Sequence, residues 1–137
     1  MSIEEENKAL IYRIFDLLNK KEMDAYYALF APDYVAHFPN GDVTLEETKK
    51  FDASVFSAFP DYHFTLDDIV AEDDKVAFRT IFTGTHTGEW MGAAPTGKKM
   101  SFNMFYICRI SGGKDVEDWG CTDLPLMMQQ LGAIHEK

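Results

Sequence analysis

The stretch KKMSFNMFYICRISGGKDVEDWGCTD, residues Lys98 to Asp123, decides the fold. Two runs rich in β-branched and aromatic residues flank Ser111, Gly112 and Gly113, the chemistry of a tight hairpin turn. The second run closes on Asp123, directly before LPLMMQQLG, which reads as a short helix. Upstream, DYHFTLDDIVAE and KVAFRTIFTGTHTG repeat the strand composition across the gap Glu72–Asp73–Asp74, so a meander of antiparallel strands is expected from Asp61 onward. The N-terminal half differs. Ser2 with Glu5 opens a helix carrying Leu10, Ile11, Ile14, Phe15 and Leu18 at 3.6-residue spacing. MDAYYALF reads as a short second helix, and DYVAHFPNG as a short strand ending in a turn. Thr44 with Glu47 opens a further helix, with Phe51, Val55 and Phe59 on one face and Pro60 as its stop. Helices followed by a meander give an α+β domain spanning residues 1–137, in which a curved antiparallel sheet carries helices on its concave face and leaves a cone with an open end.

Composition narrows the function. The chain of 137 residues is 46% apolar and 14% aromatic, with eleven Phe, enough for a large core or a ring-lined cavity. A formal charge of −10 supplies no phosphate-neutralising surface, so nucleic acid is not an expected partner. No apolar run approaches the roughly 20 residues of a membrane span, and MSIEEENK is acidic where a secretion signal is basic and then apolar. A cytoplasmic protein is expected. Cys108 and Cys121 lie in strand-like runs without CxxC spacing and read as reduced, buried thiols.

The motif record is mostly negative. There is no GxGxxG, P-loop, HExxH or GxSxG, and neither cysteine has an adjacent histidine to activate it. His86 with Glu89 is the one local His/carboxylate pair. No metal and no cofactor are expected, which leaves side-chain acids and bases. Asp123 has two readings. It precedes a helix with Pro125 just inside, so it suits an N-cap; it also ends a strand, where a carboxylate can reach a pocket mouth. Trp119, Cys121 and Asp123 share one strand parity, and the apolar character of that row points it inward. A three-residue Ser111–Gly112–Gly113 turn with glycine in the left-handed position is the expected one and would set Ser101, Asn103 and Phe105 on the same face; a two-residue turn would set Phe102, Met104 and Tyr106 there instead. His37, at a strand end before FPNG, is a candidate acid, base or orienting group. Arg79, amid Val76, Phe78 and Phe82, suits the solvent side or a subunit interface.

The segment GTHTGEWMGAAPTGKKM and the ending RISGGKDVEDWGCTDLPLMMQQLG resemble the SnoaL-like polyketide cyclase (ester cyclase) family of the nuclear transport factor 2-like, or cystatin-like, superfamily. Gly84, Thr85, His86, Gly88, Gly92, Pro95, Thr96, Gly97 and Lys98 fill the first motif; Glu117, Trp119, Asp123, Gln129, Gln130, Leu131 and Gly132 fill the last. The resemblance implies a cone-shaped α+β fold, a homodimer through the sheet, and Asp123 as general acid/base in an intramolecular aldol-type ring closure. It adds His37 as a second catalytic candidate. Trp119, Asn103, Phe105, His86 and Trp90 are the expected contacts to a small hydrophobic or aromatic carbonyl compound. Two alternatives stay open: epoxide hydrolysis using Arg79 with Asp123, or an isomerase-type reaction, and a non-catalytic binding module of the same fold.

Overall fold

A computed structural model describes residues 1–132; residues 133–137, the end of the expected domain span, lie outside the described residues. The order is α1 (Ile3–Asn19), α2 (Met23–Tyr27), β1 (Phe30–Phe38), β2 (Gly41–Thr44), α3 (Leu45–Ala58), β3 (His63–Glu72), β4 (Lys75–Thr85), β5 (Lys99–Ser111), β6 (Lys114–Thr122) and α4 (Leu124–Leu131). The six strands form one curved sheet in the order β2-β1-β6-β5-β4-β3. Every pairing is antiparallel except β1 with β6, which runs parallel. No helix among the described residues is long and apolar enough to cross a membrane.

Local chemistry sets the helix ends. Ser2 accepts the Glu5 amide, and Thr44 with Glu47 makes a reciprocal capping box, so amides that a first turn leaves unpaired are satisfied. The helices cover one face of the sheet. Ile11, Ile14, Phe30, Tyr34, Val76, Phe78, Cys108 and Ile110 form one half of the core. Leu18, Phe59, Tyr62, Phe82, Trp90, Phe102 and Met127 form the other.

The β5–β6 hairpin resolves the register. Ser111 pairs with Lys114, so the turn is the two residues Gly112 and Gly113, both in the left-handed region at φ 59° and 74°. This is the mirror-image turn that matches strand twist. One residue later a bulge inserts Val116: Ile110 opposes Asp115, but Arg109 opposes Glu117. Beyond it Phe105 faces Cys121 and Ile107 faces Trp119. The set expected from a three-residue turn is therefore reached by a two-residue turn plus a bulge.

The direction of that set is the main correction. Met100, Phe102, Cys108 and Ile110 are buried beneath the helices, so Phe105, Ile107, Trp119 and Cys121 point outward. Cys121 is accordingly exposed rather than buried. Apolarity misled because the inner row of β6 contains Gly120. A Cβ there would lie 2.5 Å from the Tyr106 ring and 2.7 Å from the Phe38 ring, so those rings fill the volume that a side chain would otherwise occupy. In α3 the inward stripe is likewise rotated from the expected one. Phe51 is 56% exposed, and the inner row runs Leu45, Asp52, Val55, Phe56 and Phe59.

Candidate active site

Burial along the inner face is uneven. On β5 the inward residues Met100, Phe102, Cys108 and Ile110 are buried, whereas Met104 and Tyr106 between them are only half-buried. Half-buried positions recur opposite, at Phe38 on β1 and at Asp52, Val55 and Phe56 on α3. Accessibility thus returns in the middle of an otherwise closed face, where α3 lies over the sheet. The side chains there are largely aromatic. Tyr106 stacks on Phe78 and meets Phe38 edge-on, while Phe56 stacks on Tyr62 at 4.2 Å between centroids.

Asp52 is the carboxylate on this inward row. It reaches the inner stripe because it stands seven residues after Leu45 and seven before Phe59, two turns of helix in each direction. Burial pushes its carboxyl up to about 6, against a hydrogen bond from Tyr27 Oη at 2.7 Å that pulls it down. Loss of hydration prevails because a single neutral donor replaces a whole hydration shell. The resulting carboxylate is ionised at neutral pH yet more basic than an ordinary aspartate. Its charge in turn opposes ionisation of Tyr26, Tyr27 and Tyr106, whose phenols are pushed up mainly by burial and stay neutral hydrogen-bond donors.

Deeper in the core lies a second acidic group. Tyr34 Oη donates to Asp118 Oδ2 at 2.6 Å, and Asp115 and Cys108 lie beside it. Burial, first of all, raises both carboxyls.

The residues expected to form the site divide among three places. Asp123 is exposed and its Oδ1 accepts the Leu126 amide at 3.0 Å, so it caps α4 and does not end an inward row. His37, Trp119 and Phe105 do come together, but on the outer face. There they line, with Ile107, Cys121, Ala77 and Arg79, an apolar groove of about 700 Å³. His37 stacks on Trp119 and lies between Glu117 (2.6 Å) and Asp42 (2.8 Å). These hydrogen bonds, Glu117's first, raise the imidazole pKa. Asn103 is exposed, in the same outward row as Phe105. Arg79 pairs with Asp67 and Asp68 on the exposed side of β3, so the expected pairing of Arg79 with Asp123 is not formed. His86 and Trp90 are buried against Phe59. His86 Nδ1 accepts the Thr96 amide and lies 3.0 Å from Thr96 Oγ1, which pins the loop between β4 and β5.

Sequence reasoning missed Asp52, Tyr27, Asp115 and Asp118. The signal for Asp52 was present: an acid at heptad spacing between Leu45 and Phe59, followed by Val55 and Phe56, sits within an apolar stripe.

Comparison with known proteins agrees with this architecture. AclR from Streptomyces galilaeus, a candidate hydroxylase, superposes with a TM-score of 0.91 at 30% identity, over 96% of this chain and 99% of its own. IdmH from Streptomyces antibioticus, a candidate polyketide cyclase, gives 0.82 at 30% identity over 92% and 98%. TsrD from Streptomyces laurentii gives 0.84 at 25% identity over 98% and 100%. Among functionally curated proteins none matches. The family model for SnoaL-like polyketide cyclases matches residues 9–131, nearly the whole described fold, and the chain belongs to that family.

Proposed function

We propose that the hollow between α3 and the sheet is the active site of a cyclase that uses Asp52 as its general acid and base. The observation that carries this reading is Asp52 itself, a half-buried carboxylate held by Tyr27 in an aromatic wall and raised to about 6. A carbon flanked by two carbonyls is already acidic, so one poised carboxylate can take its proton. The carbanion then attacks a second carbonyl of the same molecule. A carbon–carbon bond forms as the carbonyl π bond breaks, and the alkoxide takes back the proton that Asp52 holds. Neutral phenols such as Tyr26 and Tyr106 suit the developing oxyanion because burial keeps their protons in place. Holding both carbons in contact would supply much of the acceleration.

The substrate class follows from the wall. Rings at Phe38, Phe56, Tyr62 and Tyr106 fit a flat aromatic or polyketone molecule with several carbonyls. The outer groove has a different role. Phe105, Ile107, Trp119 and Val70 form an exposed apolar surface, with Phe105 54% and Trp119 37% exposed, and a second copy of the chain packs there through the sheet. His37 and Trp119 belong to that face, so their contribution is to assembly.

The test is turnover of aromatic polyketone esters, read as a ring-closed isomer on a chromatogram. Asp52→Asn should reduce the rate at least about a hundredfold while the substrate still binds. Unchanged turnover in Asp52→Asn would refute the assignment. Binding without turnover in the wild-type protein would make the hollow a carrier site instead.

A further inference from the structure

The buried group at the base of the β5–β6 hairpin has no use in this chemistry, and its geometry is unusual. In a regular strand Asp115 and Asp118 would point to opposite faces, since they are three residues apart. The Val116 bulge cancels that alternation. Asp115 pairs with Ile110 and Asp118 with Cys108, and both carboxylates face inward beside the Cys108 thiol. Donor atoms of Cys108, Asp115 and Asp118 all lie within 4.8 Å of one another. Asp115 is 2% and Asp118 5% exposed. Tyr34 satisfies Asp118 Oδ2, but Asp115 Oδ1 and Asp118 Oδ1 are buried with no hydrogen-bond partner.

Charge makes this arrangement costly as it stands. Among the described residues no lysine, arginine or histidine forms an ion pair with either carboxylate. The surroundings are Ile110, Phe30, Val76 and Phe78, a dry wall in which an unpaired anion is strongly disfavoured. A proton shared between the two acids removes one charge and leaves the other. A divalent cation bound by the thiolate and both carboxylates also leaves one net charge, but unlike the proton it engages the orphaned oxygens.

We infer that Cys108, Asp115 and Asp118 form a binding site for a divalent transition metal, with zinc the best fit. One thiolate and two carboxylates are a borderline-soft donor set that suits zinc; magnesium and calcium prefer oxygen alone. Three protein donors match the count of zinc centres that keep a position for an exogenous oxygen. Tyr34, bonded to Asp118, orients that ligand from outside the coordination sphere. Binding displaces the thiol proton and any proton the acids share. The site is separate from Asp52, so either assignment can fail while the other stands.

The full-length protein, purified without chelator, is assayed for bound metal by mass spectrometry, then stripped and titrated with zinc or cobalt(II). The expected result is about one metal per chain with a rise in Tm on binding. Cobalt should give a thiolate-to-metal absorption band that disappears in Cys108→Ser and persists in Cys121→Ser. Asp115→Asn should weaken binding by about tenfold or more. Three results would overturn the site: no metal and no Tm rise with an excess of either ion, a cobalt band that depends on Cys121, or undiminished affinity in Asp115→Asn. The first of these, with Asp115→Asn as stable as the wild type, would assign the pair as a shared-proton dyad.

Discussion

Replacing Asp52 by asparagine should make the protein more stable and less active, and the gain should depend on pH. Burial raises the carboxyl from an ordinary 3.8 to about 6, so the folded state holds that proton more tightly than the unfolded chain. Between those values the folded form binds more protons, and stability therefore falls as pH rises through the window. Above it the full penalty applies, about 2.2 units at 1.36 kcal/mol each, or about 3 kcal/mol. Asparagine has the shape of the protonated acid and never ionises. It still accepts the Tyr27 hydroxyl, and that bond's stronger hold on the charged form is already contained in the value of about 6. The gain for Asp52→Asn above about pH 7 is then about 3 kcal/mol, or roughly 10 °C in Tm. Urea unfolding of both proteins from about pH 4 to about pH 8 measures it directly. The two stabilities should converge at the acid end and separate steadily toward neutrality. A variant that is less stable than wild type at about pH 8, or a difference that does not change with pH, would refute the reasoning.

Gly120→Ala should cost about 1–3 kcal/mol by chemical denaturation, because the new methyl lies 2.5 Å from the Tyr106 ring and displaces it. Asp123→Ala should lose about 1 kcal/mol of stability, whereas Asp123→Asn should lose almost nothing, since asparagine caps α4 equally well. If the proposed dimer forms through the sheet, light scattering should give twice the chain mass for the wild type and the chain mass for Phe105→Arg with Ile107→Glu, because both side chains stand in the outer apolar surface. The His37 ring should titrate above its ordinary 6.5 by NMR, since Glu117 and Asp42 favour the charged form. Its contribution to stability is then present at low pH and fades as pH rises through that elevated value.

Periodicity made the class of the fold legible. The caps at Ser2 and Thr44, the places of the hairpin turns before Lys75 and Lys114, and the helix after Asp123 all follow from local chemistry, whereas the second turn has two residues and not the three expected. The direction of the β6 faces did not, because parity is decided by a bulge and by the bulk of Tyr106 and Phe38 over Gly120. Neither is a local property of VEDWGCTD. Exposure of Trp119 and Cys121 on a face suited to a second chain inverted the ordinary rule that apolar rows turn inward. Asp123 was noticed because it ends a motif, and its role as a cap was already one of its two readings. Asp52 was overlooked because a single acid in a helix reads as solvated unless the stripe is phased correctly, and Phe51 pulled that phase round by one residue.

On the proposed mechanism, proton transfer occurs at Asp52, under α3, and not at Asp123. Exchange of the activated methylene of an aromatic β-keto ester in deuterated water, followed by NMR, measures that transfer without requiring ring closure. The wild type should accelerate exchange, with a rate that climbs through about pH 6 as Asp52 ionises. Asp52→Asn should abolish the acceleration and Asp123→Asn should retain it. Full exchange in Asp52→Asn, with loss in Asp123→Asn, would contradict the account.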